Sequence, residues 1–163
     1  MPIVLVRVDD RLVHGQILEG WLPSTRAQEL VIANDTVAKD YLQKMIMQSA
    51  IPYSVDLIIE SVQGAVSLLL DPMDNEVRRI VLVDSPKDAL RLIRAGVQFT
   101  HLNLGNLRTN NVTVCLSRTV MVGEESLMDL RMILEQGVQI NIQSVPFEKP
   151  VDLFEVLRCF PTA

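Results

Sequence analysis

Residues 79–96 read RIVLVDSPKDALRLIRAG, and the change of period inside this stretch decides the fold. Residues 79–83 are apolar at four successive positions, the pattern of a short strand covered on both faces rather than half-exposed. Ser85 then offers an N-cap side chain and Pro86 suits the first helical position. Gly96 follows Arg94 and Ala95 as a stop, so a helix over 86–95 is delimited at both ends. A strand that runs straight into a capped helix is half of a βαβ unit.

The same alternation recurs on either side. Candidate strands fall at 3–8, 30–33, 55–59, 100–104 and 138–143, and candidate helices at 36–49, 61–70, 124–136 and 151–158. The 36–49 segment places Val37, Tyr41, Met45 and Ile46 on one stripe, with Asp35 or Thr36 as N-cap; Ser61 caps the next helix and Gly137 stops the one after. Residues 105–123 carry Asn106, Asn110 and Asn111 in a polar loop, followed by a Val-rich segment suited to a short strand. The expected fold is α/β: one domain over residues 1–163, built on an open, mostly parallel, twisted sheet with helices on both faces.

Composition narrows the function. The 163 residues are 48% hydrophobic but only 4% aromatic, so Val, Ile, Leu and Met must build the core. A formal charge of -5 and the absence of a Lys/Arg block argue against nucleic acid, and any anionic ligand must be held locally. Cys115 and Cys159 have neither disulfide-framework nor zinc spacing. The chain has no G-x-G-x-x-G, no G-x-x-x-x-G-K and no H-E-x-x-H, and only two histidines, so no nucleotide, metal or other cofactor is expected. No apolar run approaches the roughly 20 residues that span a bilayer. The opening MPIVLV gives way to Asp9 and Asp10 without a signal-peptide core, which places the protein in the cytosol.

The densest polar cluster lies where ligands bind in such sheets, just beyond the C-terminal end of the first strand. VRVDDRLVHGQI, starting at Val6, sets Arg7, Asp9, Asp10, Arg11 and His14 within eight residues, followed by Gly15 and Gln16. A neutral imidazole is a good phosphoryl acceptor near pH 7, because the phosphoramidate it forms stays reactive enough to be passed on. Arg11 and Arg7 can complement phosphoryl oxygens, as can N–H groups of a helix beginning near Gly15. Either Asp9 or Asp10 can orient the imidazole or hold the arginines. His101, inside an apolar run, reads as a structural strand residue.

VRVDDRLVHGQILEGW (residues 6–21) resembles the N-terminal signature R-x-D-D-R-L-x-H-G-Q of the IIB components of the mannose/fructose/sorbose family of the bacterial sugar phosphotransferase system (PTS). The likeness continues through VIANDTVAKDYLQKMIMQSAIP (31–52), AGVQFTHLNLGN (95–106) and EQGVQINIQSVP (135–146). It implies a protein-phosphohistidine–sugar phosphotransferase component phosphorylated on the pros nitrogen, Nδ1, of His14. Arg11 and loop N–H groups would surround the phosphate, Asp9 and Asp10 would support the loop, and Asn34–Asp35 would be the family's Asn/Ser-Asp pair. The implied partners are a IIA phosphohistidine domain as donor and membrane IIC and IID permease components, which would draw the protein to the inner membrane; a homo-oligomer is compatible. The chain departs from the family's N-V-G-G-M stretch at Asn103-Leu104-Gly105-Asn106-Leu107, where Asn106 replaces a glycine. A regulatory phosphoacceptor not coupled to transport, and a binding domain with His14 chemically idle, are the alternatives.

Overall fold

The computed structural model describes residues 3–72 and 76–160; Met1 and Pro2 of the opening apolar run lie outside them. Strand β1 (Ile3–Val8) leads into a π-helical turn (Gln16–Trp21) continuous with α1 (Leu22–Thr25). There follow β2 (Glu29–Ala33), a 3₁₀ turn (Val37–Lys39), α2 (Tyr41–Ala50), β3 (Asp56–Glu60), α3 (Val62–Leu69), β4 (Arg79–Val83), α4 (Pro86–Arg94) and β5 (His101–Leu104). Three short strands, β6 (Leu107–Arg108), β7 (Val114–Cys115) and β8 (Val120–Val122), precede α5 (Glu124–Glu135), β9 (Gln139–Ile142), β10 (Val151–Asp152) and α6 (Leu153–Arg158). The main sheet has the order β10-β9-β5-β1-β4-β2-β3, parallel except for β10, and the short strands form a second sheet in the order β6-β8-β7.

Local chemistry sets the boundaries. Ser61 and Ser85 cap α3 and α4 by accepting the N–H groups of Gly64 and Asp88. Gly96 and Gly137 follow α4 and α5 with φ of +100° and +83°, a region in which a side chain is strained. β2 and β4 are buried at every position, as strands sandwiched between helices must be.

Two apolar clusters flank the sheet. Val6, Val8, Val31, Val81 and Val83 pack with α3, α4, α5 and α6 on one face, while Leu30, Ile32, Ile80 and Leu82 pack with Leu12, Ile17, Trp21 and Leu22 on the other. The segment after β1 therefore crosses to one face, and those after β4 and β5 to the opposite one. The C-terminal end of β1, between β4 and β5, is a topological switch point, the position at which ligands bind in sheets of this kind.

Two expectations need correction. The helix expected over 36–49 is broken at Asp40, whose extended backbone (φ -98°, ψ 98°) and Oδ1 cap a new start at Tyr41, so neither Asp35 nor Thr36 caps α2. The break turns the stripe outward: Val37 stays buried, but Tyr41, Met45 and Ile46 are exposed, and Met47 and Ile51 pack on the core instead. The helix expected over 151–158 begins as β10 on the sheet edge, and Asp152 caps the shorter α6 through the Phe154 N–H.

Candidate functional site

Period-two alternation points Val6 and Val8 into one apolar cluster and sends Arg7 and Asp9 to the opposite side, where both are completely buried. An ion pair buried to this degree is tolerable only when its remaining hydrogen-bonding capacity is satisfied. Arg7 donates to Asp9 Oδ2 through Nε at 3.2 Å and Nη2 at 2.8 Å. It also donates to Asn103 Oδ1, to the Gln143 carbonyl at 2.9 Å and to Gln16 Oε1 at 3.2 Å, and it lies 5.5 Å from the centre of the Trp21 ring. Burial pushes the Arg7 guanidinium below its ordinary value, and the Asp9 carboxylate acts against that.

Asp9 is the hub. Its Oδ2 accepts from Arg7, from Arg11 Nη2 at 3.2 Å and from His14 Nε2 at 2.9 Å, and its Oδ1 accepts Arg11 Nε at 3.1 Å and the Arg11 N–H at 3.2 Å. With a buried, ionised carboxylate at Nε2, that ring nitrogen carries the proton in neutral His14. The other nitrogen, Nδ1, faces the Gln16 N–H at 3.4 Å and keeps its lone pair. The His14 side chain is 15% exposed, enough for an approaching group to reach it.

The loop that folds His14 back over Asp9 is strained. Leu12 has φ of 55°, a left-handed conformation that costs a residue with a branched side chain about 1–3 kcal/mol. Its N–H donates to the Asp9 carbonyl at 3.0 Å and its side chain is buried, which offsets the strain.

Burial alone would raise the Asp9 carboxyl, but hydrogen bonds from His14 and Arg11 and the charge on Arg7 outweigh it and hold it at about 2 against an ordinary 3.8. A carboxylate with a depressed native pKa stabilises the fold above its unfolded pKa and loses that contribution as pH falls. Acidification from about pH 5 to pH 2 should therefore remove about 2 kcal/mol of stability. Urea unfolding along a pH series measures this directly.

Gly105 explains how Arg7 fits. A Cβ built on Gly105 lands inside the Arg7 guanidinium. Gly105→Ala should therefore displace Arg7 from Asp9 and cost about 3 kcal/mol or more, read as a lowered urea midpoint.

The sequence-predicted residues divide. Arg7, Asp9, Arg11, His14 and Gln16 form one network, with Arg7 behind Asp9 in the core rather than at the surface. Arg11 is 41% exposed and keeps Nη1 without a hydrogen bond among the described residues. Gly15 leads into the π-helical turn, and a side chain there would meet nothing, so no close backbone approach requires it. Asp10 turns away from the imidazole and binds Asn106 Nδ2 at 2.8 Å and the Arg108 N–H at 2.9 Å.

Asn34 and Asp35 lie at the end of β2 in a different network. Asn34 donates to Asp84 and accepts from the Thr36 and Val37 N–H groups; Asp35 accepts from the Val62 N–H and from Arg91. Neither is hydrogen-bonded to the His14 loop. His101 starts β5 with an exposed side chain, and its Nδ1 lies 2.8 Å from Thr100 Oγ1. Asn106 does not adopt the left-handed backbone that a glycine replacement there would invite. Asn103, Gly105 and Gln143, which complete the network, were missed by sequence reasoning. Asn103 and Gly105 stood out only within the polar NLGN at the end of an apolar strand, and Gln143 only within the 135–146 stretch.

Among the described residues, no group of His, Cys, Asp and Glu side chains is placed to hold a metal ion, and no helix is long and apolar enough to cross a membrane.

The fold that carries this site is shared with known proteins. The family described as PTS system sorbose subfamily IIB component matches residues 3–160, and the chain belongs to that family. The PTS system fructose-specific EIIB component of Bacillus subtilis is 30% identical over 158 residues, covering 97% of each chain. The crystal structure of the IIBSor domain of the sorbose permease from Klebsiella pneumoniae superposes with a TM-score of 0.93 at 26% identity, covering 100% of both chains. The mannose-specific EIIAB component of Escherichia coli is 24% identical over 157 residues, and the chain spans 49% of that longer protein.

Proposed function

We propose that this IIB component is a phosphocarrier that takes a phosphoryl group on Nδ1 of His14 from a phosphohistidine of a IIA domain. It then passes the group to a sugar entering through IIC and IID permease partners. One observation carries it: the Asp9 carboxylate occupies Nε2, which leaves Nδ1 as the nucleophilic nitrogen. The combination of IIA and IIB in the name of the mannose-specific EIIAB relative supports the choice of donor.

Transfer balances without an external base. The Nδ1 lone pair forms the new P–N bond while the donor's P–N bond breaks and returns its electron pair to the donor ring. His14 keeps its Nε2 proton and becomes cationic, and Asp9 stabilises that charge where it develops. The Gln16 N–H, already directed at Nδ1, and the free Nη1 of Arg11 then meet the phosphoryl oxygens. The protein's work is alignment and charge complementarity, and each docked partner supplies the exclusion of water.

The test is incubation with phosphoenolpyruvate, the general phosphotransferase proteins and a IIA domain, followed by intact-mass measurement. A single acid-labile phosphoryl group, chased off by membranes holding the permease and sugar, is the expected result. A protein that stays unlabelled while IIA is phosphorylated would leave only the binding-domain alternative; a label that permease and sugar never remove would point to a regulatory phosphoacceptor.

A further inference from the structure

The second acidic residue of the loop makes no hydrogen bond to the imidazole; its bonds run instead to Asn106 and Arg108. Asp10 donates its N–H to the Asn106 carbonyl at 2.9 Å and accepts from Asn106 Nδ2 at 2.8 Å and from the Arg108 N–H at 2.9 Å. These three bonds cross 96 to 98 residues of sequence and tie the His14 loop to the turn between β5 and β6 and to β6 itself. That turn is rigidly founded: the Gly105 N–H donates to the Val8 carbonyl at 3.0 Å, and the Leu107 N–H to the Thr119 carbonyl at 2.9 Å. On its other side, Asp9 and the strained Leu12 depend on the same short loop for their placement.

We infer that Asp10 and Asn106 form a lock that holds the His14 loop against the small sheet in its transfer-competent geometry, which makes Asn106 a positioning residue for the reaction. It acts through Asp10 on the Asp9–His14 alignment and touches no reacting atom. A reacting pair displaced by about 1 Å can lose about 10²-fold in rate, so a contact of this kind outweighs its modest share of stability. This inference rests on the phosphocarrier reading.

The polarity of the lock supplies its test. Asn106→Asp sets two carboxylates against each other and should open the loop. Adding Asp10→Asn restores one donor and one acceptor in reverse, because the side-chain amide introduced at position 10 can give an N–H to the carboxylate at 106 and still accept the Arg108 N–H through its carbonyl. Asn106→Asp should lower the phosphorylation rate at saturating IIA by about 10- to 100-fold, with the KM for IIA within about twofold. The double variant should recover to within about threefold of the parent. The His14 Nε2–H proton resonance should weaken or shift in Asn106→Asp and return in the double variant.

An Asn106→Asp protein as fast as the parent, or a double variant as slow as Asn106→Asp, would overturn the lock. If the parent itself takes no phosphate, the carrier reading fails separately, and the resonance alone decides whether the pair aligns His14.

Discussion

Asp9→Asn should slow phosphorylation of His14 by about 10²- to 10⁴-fold and destabilise the fold by about 3–5 kcal/mol. Both effects come from one carboxylate. Asp9 Oδ2 serves both Arg7 and His14, so an Asn carbonyl that stays with the buried Arg7 also stays at Nε2, and the amide NH₂ takes the place of Oδ1 against the N–H donors of Arg11. A neutral carbonyl at Nε2 no longer stabilises the imidazolium charge that develops on phosphorylation, and the donor–donor clash at Arg11 disturbs the loop that carries His14. The same exchange removes the carboxylate that Arg7 and Arg11 share, in a site where Arg7 is completely buried. Single-turnover phosphorylation and urea unfolding of the same preparation separate the two effects, and the acid-induced loss of stability assigned to Asp9 should disappear in this variant.

His14→Gln should abolish acid-labile phosphorylation altogether while costing only about 1 kcal/mol of stability. Gln has no nucleophilic ring nitrogen. Asp9, for its part, keeps its bonds from Arg7 and Arg11 after His14 is removed, so no buried charge is left unpaired. The contrast with Asp9→Asn distinguishes a residue that reacts from one that both supports the core and aligns the reacting residue. Intact mass after the phosphoryl relay, set beside thermal unfolding, reads it.

Much of this arrangement was legible in the residues. The strand at 79–83 and the helix after it were readable because Ser85, Pro86 and Gly96 act through local sterics and hydrogen bonds that hold in any fold. α2 was misjudged because Asp40 caps in competition with a longer helix, and the resulting rotation is decided by tertiary packing of Met47 and Ile51. The π-helical turn and the left-handed Leu12 have no sequence signature, since they are strained states held by burial around them. Of the small sheet, only one short strand in the Val-rich segment after the Asn loop was expected, because strands of two or three residues leave almost no period to read.

At the site, the cluster from Arg7 to Gln16 was visible as a run of polar residues leaving an apolar strand. The choice between Asp9 and Asp10 was not. It depends on which carboxylate follows the alternation of β1 inward to Arg7 and which turns outward to Asn106, a division made by strand geometry and by partners about a hundred residues away. Asn34 and Asp35 belong to the same end of the sheet, but β4 separates β2 from β1, and that strand order could not be read from the chain.

The most direct test of the central claim is long-range ¹H–¹⁵N NMR on uniformly ¹⁵N-labelled protein before and after phosphorylation. The orientation set by Asp9 predicts an Nε2–H tautomer of His14 in the free protein and phosphorus on Nδ1 afterwards, with the Nε2 proton retained. Phosphorus on Nε2, or on a residue other than His14, would contradict the account.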